Sequence, residues 1–105
     1  MKLSTVTCHA QVSEKSIERH LVDRCKAAGI QQIKINTTSA RGYPDRLMLL
    51  PGGSVVWCEL KSTGQKPRAL QRLQFRRLKD IGHRVFVCDS RGAVDAMLTE
   101  ILNSK

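Results

Sequence analysis

Apolar residues recur at helical spacing early in the chain, where Ile17, Leu21, Val22 and Cys25 fall on one side. Ser13 stands where a cap belongs and Gly29 where a stop belongs, so the spacing predicts a helix from Ser13 to about Ala28. The period then changes. Ile30 to Asn36 alternates enough for a strand, and TTSARGYP after it reads as a loop. Arg46 to Leu50 and Val55 to Leu60 are apolar runs joined through Pro51-Gly52-Gly53-Ser54, a hairpin signal. Ser62 to Lys66 is a polar loop, and Pro67 opens a second helix that Gly82 closes. The apolar side of that helix, 67–81, is Leu70, Leu73, Phe75, Leu78 and Ile81. Val85 to Cys88 reads as a fourth strand, and Ser90 or Arg91 starts a last helix through Leu102. The order αβββαβα is that of an α/β protein, a mixed sheet flanked by helices. With 105 residues and no repeat, linker or low-complexity tract, residues 1–105 form a single domain.

Several polar residues intrude on this pattern. Asp45 precedes the first hairpin strand, Glu59 interrupts the second, and Lys61 follows two places later. Side chains alternate along a strand, so Val55, Trp57, Glu59 and Lys61 share one face. The side on which Asp45 falls depends on the turn. A three-residue loop, Pro51 to Gly53, pairs Asp45 with Glu59; a two-residue Gly52-Gly53 loop pairs it with Leu60 and sends it to the other face. The first register sets two carboxylates opposite each other, a repulsive arrangement without a cation, and such oxygen ligands suit Mg²⁺ or Mn²⁺. Gln71 is a polar amide between Phe75 and Leu78 on the side of its helix expected to be buried, where it needs partners. Glu18 lies at the edge of the inward stripe of the first helix, between Ile17 and Leu21, where pairing with Lys15 or Arg19 in solvent is the ordinary alternative.

Charge narrows the class of partner. Eighteen Lys and Arg against nine Asp and Glu leave a formal +9, which favours a polyanion through counterion release. Arg68, Arg72, Arg76 and Lys79 form a basic stripe on the second helix with no interleaved acids, and Lys66 and Arg41 are further cations for the same partner. Aromatic content of 4% argues against a stacking platform for single strands. Cys8, Cys25, Cys58 and Cys88 are scattered, so a zinc site built from them with His9, His20 or His83 lacks supporting spacing, and four reduced thiols are expected. No apolar run approaches the roughly 20 residues of a membrane span, and the N-terminal residues lack the apolar core of a signal peptide. A cytoplasmic location, in a bacterial cell or a phage-infected host, is the expectation.

Taken together, Glu18, Gly42-Tyr43-Pro44-Asp45, Glu59-Leu60-Lys61 and Gln71 resemble the PD-(D/E)XK nucleases, and within them the virus-type replication-repair nuclease (VRR-NUC) family. The resemblance runs from the first helix through the strand at 85–88, with the motifs in the family's order. It implies a restriction-endonuclease-like core in which Asp45, Glu59 and the backbone carbonyl of Leu60 bind Mg²⁺ or Mn²⁺. Lys61 would orient or activate the attacking water, and Glu18 and Gln71 would complete the site. A homodimer acting on branched DNA such as four-way (Holliday) junctions is implied as well, with no small-molecule cofactor and no membrane partner. Competing expectations are a non-catalytic basic nucleic-acid-binding module, a nuclease of flaps or plain duplex, and a structural or regulatory zinc protein.

Overall fold

The computed structural model describes residues 12–36 and 41–103. Helix α1 spans Glu14–Ala28, strand β1 Gln31–Lys34, β2 Arg46–Leu49, β3 Val55–Leu60, helix α2 Ala69–Asp80, β4 Val85–Cys88 and α3 Arg91–Asn103. Among the described residues the order is αβββαβα, as predicted. The four strands form one mixed sheet in the order β1-β2-β3-β4, antiparallel except for the β3–β4 pair, which is parallel and joined by the α2 crossover.

Local chemistry accounts for the ends of α1. Ser13 Oγ accepts the Ser16 N–H at 3.2 Å. Gly29 adopts a left-handed φ of 75°, returning its own N–H to Lys26 O while Ile30 N–H bonds Cys25 O. Ile30 belongs to this stop rather than to β1, so the first strand is shorter than the alternation suggests, at Gln31–Lys34. Helix α2 starts at Ala69, with Arg68 as its cap, two residues later than expected from Pro67.

One face of the sheet builds the core. Met48, Val56, Cys58, Leu60 and Cys88 are buried there against Ile17, Leu21 and Cys25 of α1 and Val94, Met97, Leu98 and Ile101 of α3. Burial pushes the Cys25 thiol up to about 11, so it stays a protonated core residue. On the opposite face, α2 buries only Phe75 and Leu78. The predicted apolar side of this helix is corrected accordingly: Leu70, Leu73 and Ile81 are exposed, Ile81 by 74%. A twelve-residue helix against one strand edge covers a narrow stripe, too narrow for five large side chains.

The hairpin takes the three-residue loop. Leu50 N–H bonds Ser54 O at 2.9 Å, Arg46 pairs with Cys58 and Met48 with Val56, which carries Asp45 on to Glu59. Asp45 and Glu59 therefore lie on the α2 side of the sheet, while Arg46, one step along, points to the α1 side.

Candidate active site

Asp45 is fixed through every polar atom of its backbone. Its carbonyl accepts Ile35 N–H at 2.7 Å and its N–H donates to Glu59 Oε1 at 3.0 Å. Leu60 N–H donates to its Oδ1 at 3.4 Å. The loop leading to it is braced twice. Tyr43 lies against Trp57, ring centroids 5.9 Å apart, and Trp57 meets His83 edge-on at 6.1 Å. Gly42, at φ 83°, sits directly against the first turns of α2, where an added Cβ would stand 2.9 Å from Leu70 Cγ and 3.0 Å from Leu70 O.

Glu59 is the centre of the cluster, 5% exposed. Its Oε2 accepts Gln71 Nε2 at 3.0 Å and lies 3.3 Å from Lys61 Nζ. Gln71 is thereby given the partners its half-buried amide needs, since its Oε1 also accepts Arg68 N–H at 2.9 Å at the start of α2. Beside these groups, Arg41, Gly42, Lys61, Arg68, Leu70 and Gln71 line a cleft of about 310 Å³. Three cations, Arg41, Lys61 and Arg68, line it, and Lys61 and Gln71 connect that wall to the buried Glu59 carboxylate, a lining that suits an anionic group rather than an apolar ligand.

Electrostatics supports the same assignment. Burial, and then the facing Glu59 carboxylate, push Asp45 up to about 6, only partly offset by the Leu60 N–H. Two neighbouring carboxylates gain from a hard divalent cation placed between them, and oxygen donors match Mg²⁺ or Mn²⁺. The chemistry of the Asp45 and Glu59 donors fits such an ion. Among the described residues no three His, Cys, Asp or Glu side chains gather into a metal centre. The same search leaves the zinc expectation without a cluster from Cys25, Cys58, Cys88, His20 and His83, the first three being buried free thiols; Cys8 and His9 lie outside the described residues.

This geometry agrees with what comparison finds. The chain is 40% identical over 80 residues to "Putative nuclease p44" of Acyrthosiphon pisum secondary endosymbiont phage 1, a match covering 76% of this chain and 86% of that protein. A solved structure described as a VRR_NUC domain superposes with a TM-score of 0.77 at 28% identity, over 84% of this chain and 96% of its own. The chain belongs to the VRR-NUC family. No family model matches it.

Within this VRR-NUC domain the sequence-predicted residues divide into three groups. Asp45, Glu59, Leu60, Lys61 and Gln71 come together, as do Arg41 and Arg68 at the cleft wall. Arg72, Arg76 and Lys79 continue outward along exposed α2, lining a groove of about 510 Å³ with Pro67, Phe75, Asp80 and Val87, and Lys66 is exposed on the loop before it. Glu18 stands apart. It pairs with neither Lys15 nor Arg19 but accepts from Arg46 Nη2, on the α1 side of the sheet. The carboxylate of α1 that acts on Asp45 is Glu14, one turn earlier, whose charge adds to the upward push on Asp45. Sequence reasoning missed it because an acidic residue just after a Ser cap also serves the helix dipole. The i, i+4 spacing of Glu14 and Glu18 was the available signal.

Proposed function

We propose that this VRR-NUC domain is a Mg²⁺- or Mn²⁺-dependent, structure-specific DNA endonuclease that hydrolyses phosphodiesters in branched DNA, four-way junctions included, as a homodimer. Membership in the family makes it a nuclease; the observation that supports the finer reading is the joining of Asp45, Glu59, Lys61 and Gln71 by hydrogen bonds and an ion pair beside a cation-walled cleft. A bound divalent ion supplies Lewis acidity toward the phosphate and lowers the cost of deprotonating water. Asp45, Glu59 and the Leu60 carbonyl hold that ion, and Gln71 fixes the rotamer of Glu59 by donating to its Oε2. Lys61, restrained by the same oxygen, orients the attacking water and offsets negative charge growing on the phosphate. Arg41 and Arg68 hold the phosphate at the cleft wall, and the stripe through Arg72, Arg76 and Lys79 carries the backbone onward about 16 Å at 1.5 Å per residue.

A homodimer follows from the substrate. Resolving a four-way junction takes two symmetric nicks, and a twofold assembly supplies two such sites from one sequence. The test is a panel of end-labelled four-way junction, flap and plain duplex DNA incubated with Mg²⁺, Mn²⁺ or chelator, alongside light scattering at micromolar concentration. The expected result is metal-dependent paired nicks in the junction by a dimer. A monomer cutting duplex and junction equally well would overturn the junction assignment, and DNA binding without metal-dependent cleavage would favour the non-catalytic module.

A further inference from the structure

Arg46 is a buried arginine, 4% exposed, that none of the chemistry above uses. It directly follows Asp45, and strand alternation turns it away from the cleft toward α1. There its guanidinium joins three elements. Nη2 donates to Glu18 Oε2 on α1, and Nη1 donates to Gln32 Oε1 on β1 at 2.8 Å. Nε is buried with no hydrogen-bond partner among the described residues. Gln32 reaches it as a same-face diagonal neighbour, since Lys34 is the residue directly opposite Arg46.

Glu18 lies one turn beyond Glu14 on the same side of α1. Fixing Glu18 to the residue after Asp45 therefore fixes that side of α1 relative to β2. Resting on the metal-dependent nuclease reading above, we infer that the Glu18–Arg46–Gln32 network is a positioning clamp: it ties α1 and β1 to β2 beside Asp45 and so fixes where Asp45 stands at the metal-binding edge. Arg46 and Glu18 touch neither substrate nor metal in this role. They act through Asp45. Residues that orient metal ligands from behind in this way change affinity on the order of 10–100-fold when removed.

The experiment is a Mn²⁺ titration of the DNA-free protein by calorimetry, with folding followed by circular dichroism. Glu18→Gln, Gln32→Ala and Arg46→Met are measured singly. A clamp predicts Mn²⁺ binding weakened about tenfold or more by Glu18→Gln and by Arg46→Met, less by Gln32→Ala. Cleavage at saturating Mn²⁺ should then recover to within a few-fold of wild type, unlike the loss from a ligand. If Arg46→Met does not fold, Glu18→Gln, isosteric and one-third exposed in its side chain, carries the test. Folded Glu18→Gln protein that binds Mn²⁺ as tightly as wild type would overturn the clamp alone. Wild-type protein that binds no Mn²⁺ would overturn the metal reading and the clamp with it.

Discussion

Replacing Asp45 by Asn should remove cleavage and make the metal-free protein more stable. In the wild type, burial and the facing Glu59 raise this carboxyl from 3.8 to about 6. An unfolded chain has an Asp near its ordinary value, so between about pH 4 and pH 6 the native protein holds a proton that the unfolded one has released. Stability therefore falls as pH rises through that window and stays lowered above it. At about 1.4 kcal/mol per tenfold, the upper bound of the penalty is about 3 kcal/mol. Asp45 is only half-buried, and solvent screening leaves about 1–2 kcal/mol. Asparagine keeps Oδ1 for the Leu60 N–H and carries no charge to repel Glu59. Thermal melts in chelator near neutral pH should then show Asp45→Asn melting several degrees above wild type, with the difference closing near pH 4. Adding Mg²⁺ should stabilise the wild type and leave the variant unmoved. A variant that melts at or below the wild type in chelator would refute the charge balance drawn for this pair.

Three further outcomes follow from the same geometry. Lys61→Ala should lower the cleavage rate on the order of 10²–10³ or more while junction binding, read by gel shift, changes little; wild-type rates would remove Lys61 from the chemistry. Gly42→Ala should cost about 2–4 kcal/mol in a denaturant melt, since it strains a left-handed residue and presses a methyl into Leu70, and it should slow cleavage by moving the loop before Asp45. Arg72→Ala with Arg76→Ala should weaken DNA binding and flatten its salt dependence by about 0.9 per lost phosphate contact, with turnover at saturating DNA preserved; an unchanged slope would place the backbone elsewhere.

Much of this was legible because periodicity and turn chemistry speak about short-range structure. The strand at Val55–Leu60, the Gly29 stop and the β4 strand at Val85–Cys88 stand where their residues put them. The pairing of Asp45 with Glu59 was one of two registers open to the sequence, and only the Leu50–Ser54 closure decides between them. Less was visible where a residue answers to distant partners. Leu70, Leu73 and Ile81 look like a core stripe on a helical wheel, yet nothing in the sequence says how little sheet α2 covers. Glu18 and Glu14 are indistinguishable by spacing from the inward stripe. What separates them is Arg46, a cation hidden in a strand whose partner lies 28 residues away.

Loop length at the hairpin tip has a consequence for how such a protein can vary. Leu50 and Ser54 close around three residues, and neither Pro51, Gly52 nor Gly53 lies at the cleft. Their identities are free to drift so long as the turn still forms. The pairing they close is not. A one-residue slip, as when Gly52 and Gly53 alone form the loop, exchanges the faces of Asp45 and Arg46. A guanidinium would then be delivered to the Glu59 side and a carboxylate to the Glu18 side. Insertions and deletions in this turn should therefore be tolerated as long as Leu50 still closes on Ser54, and a slipped pairing should need a compensating bulge before Asp45 to keep it facing Glu59.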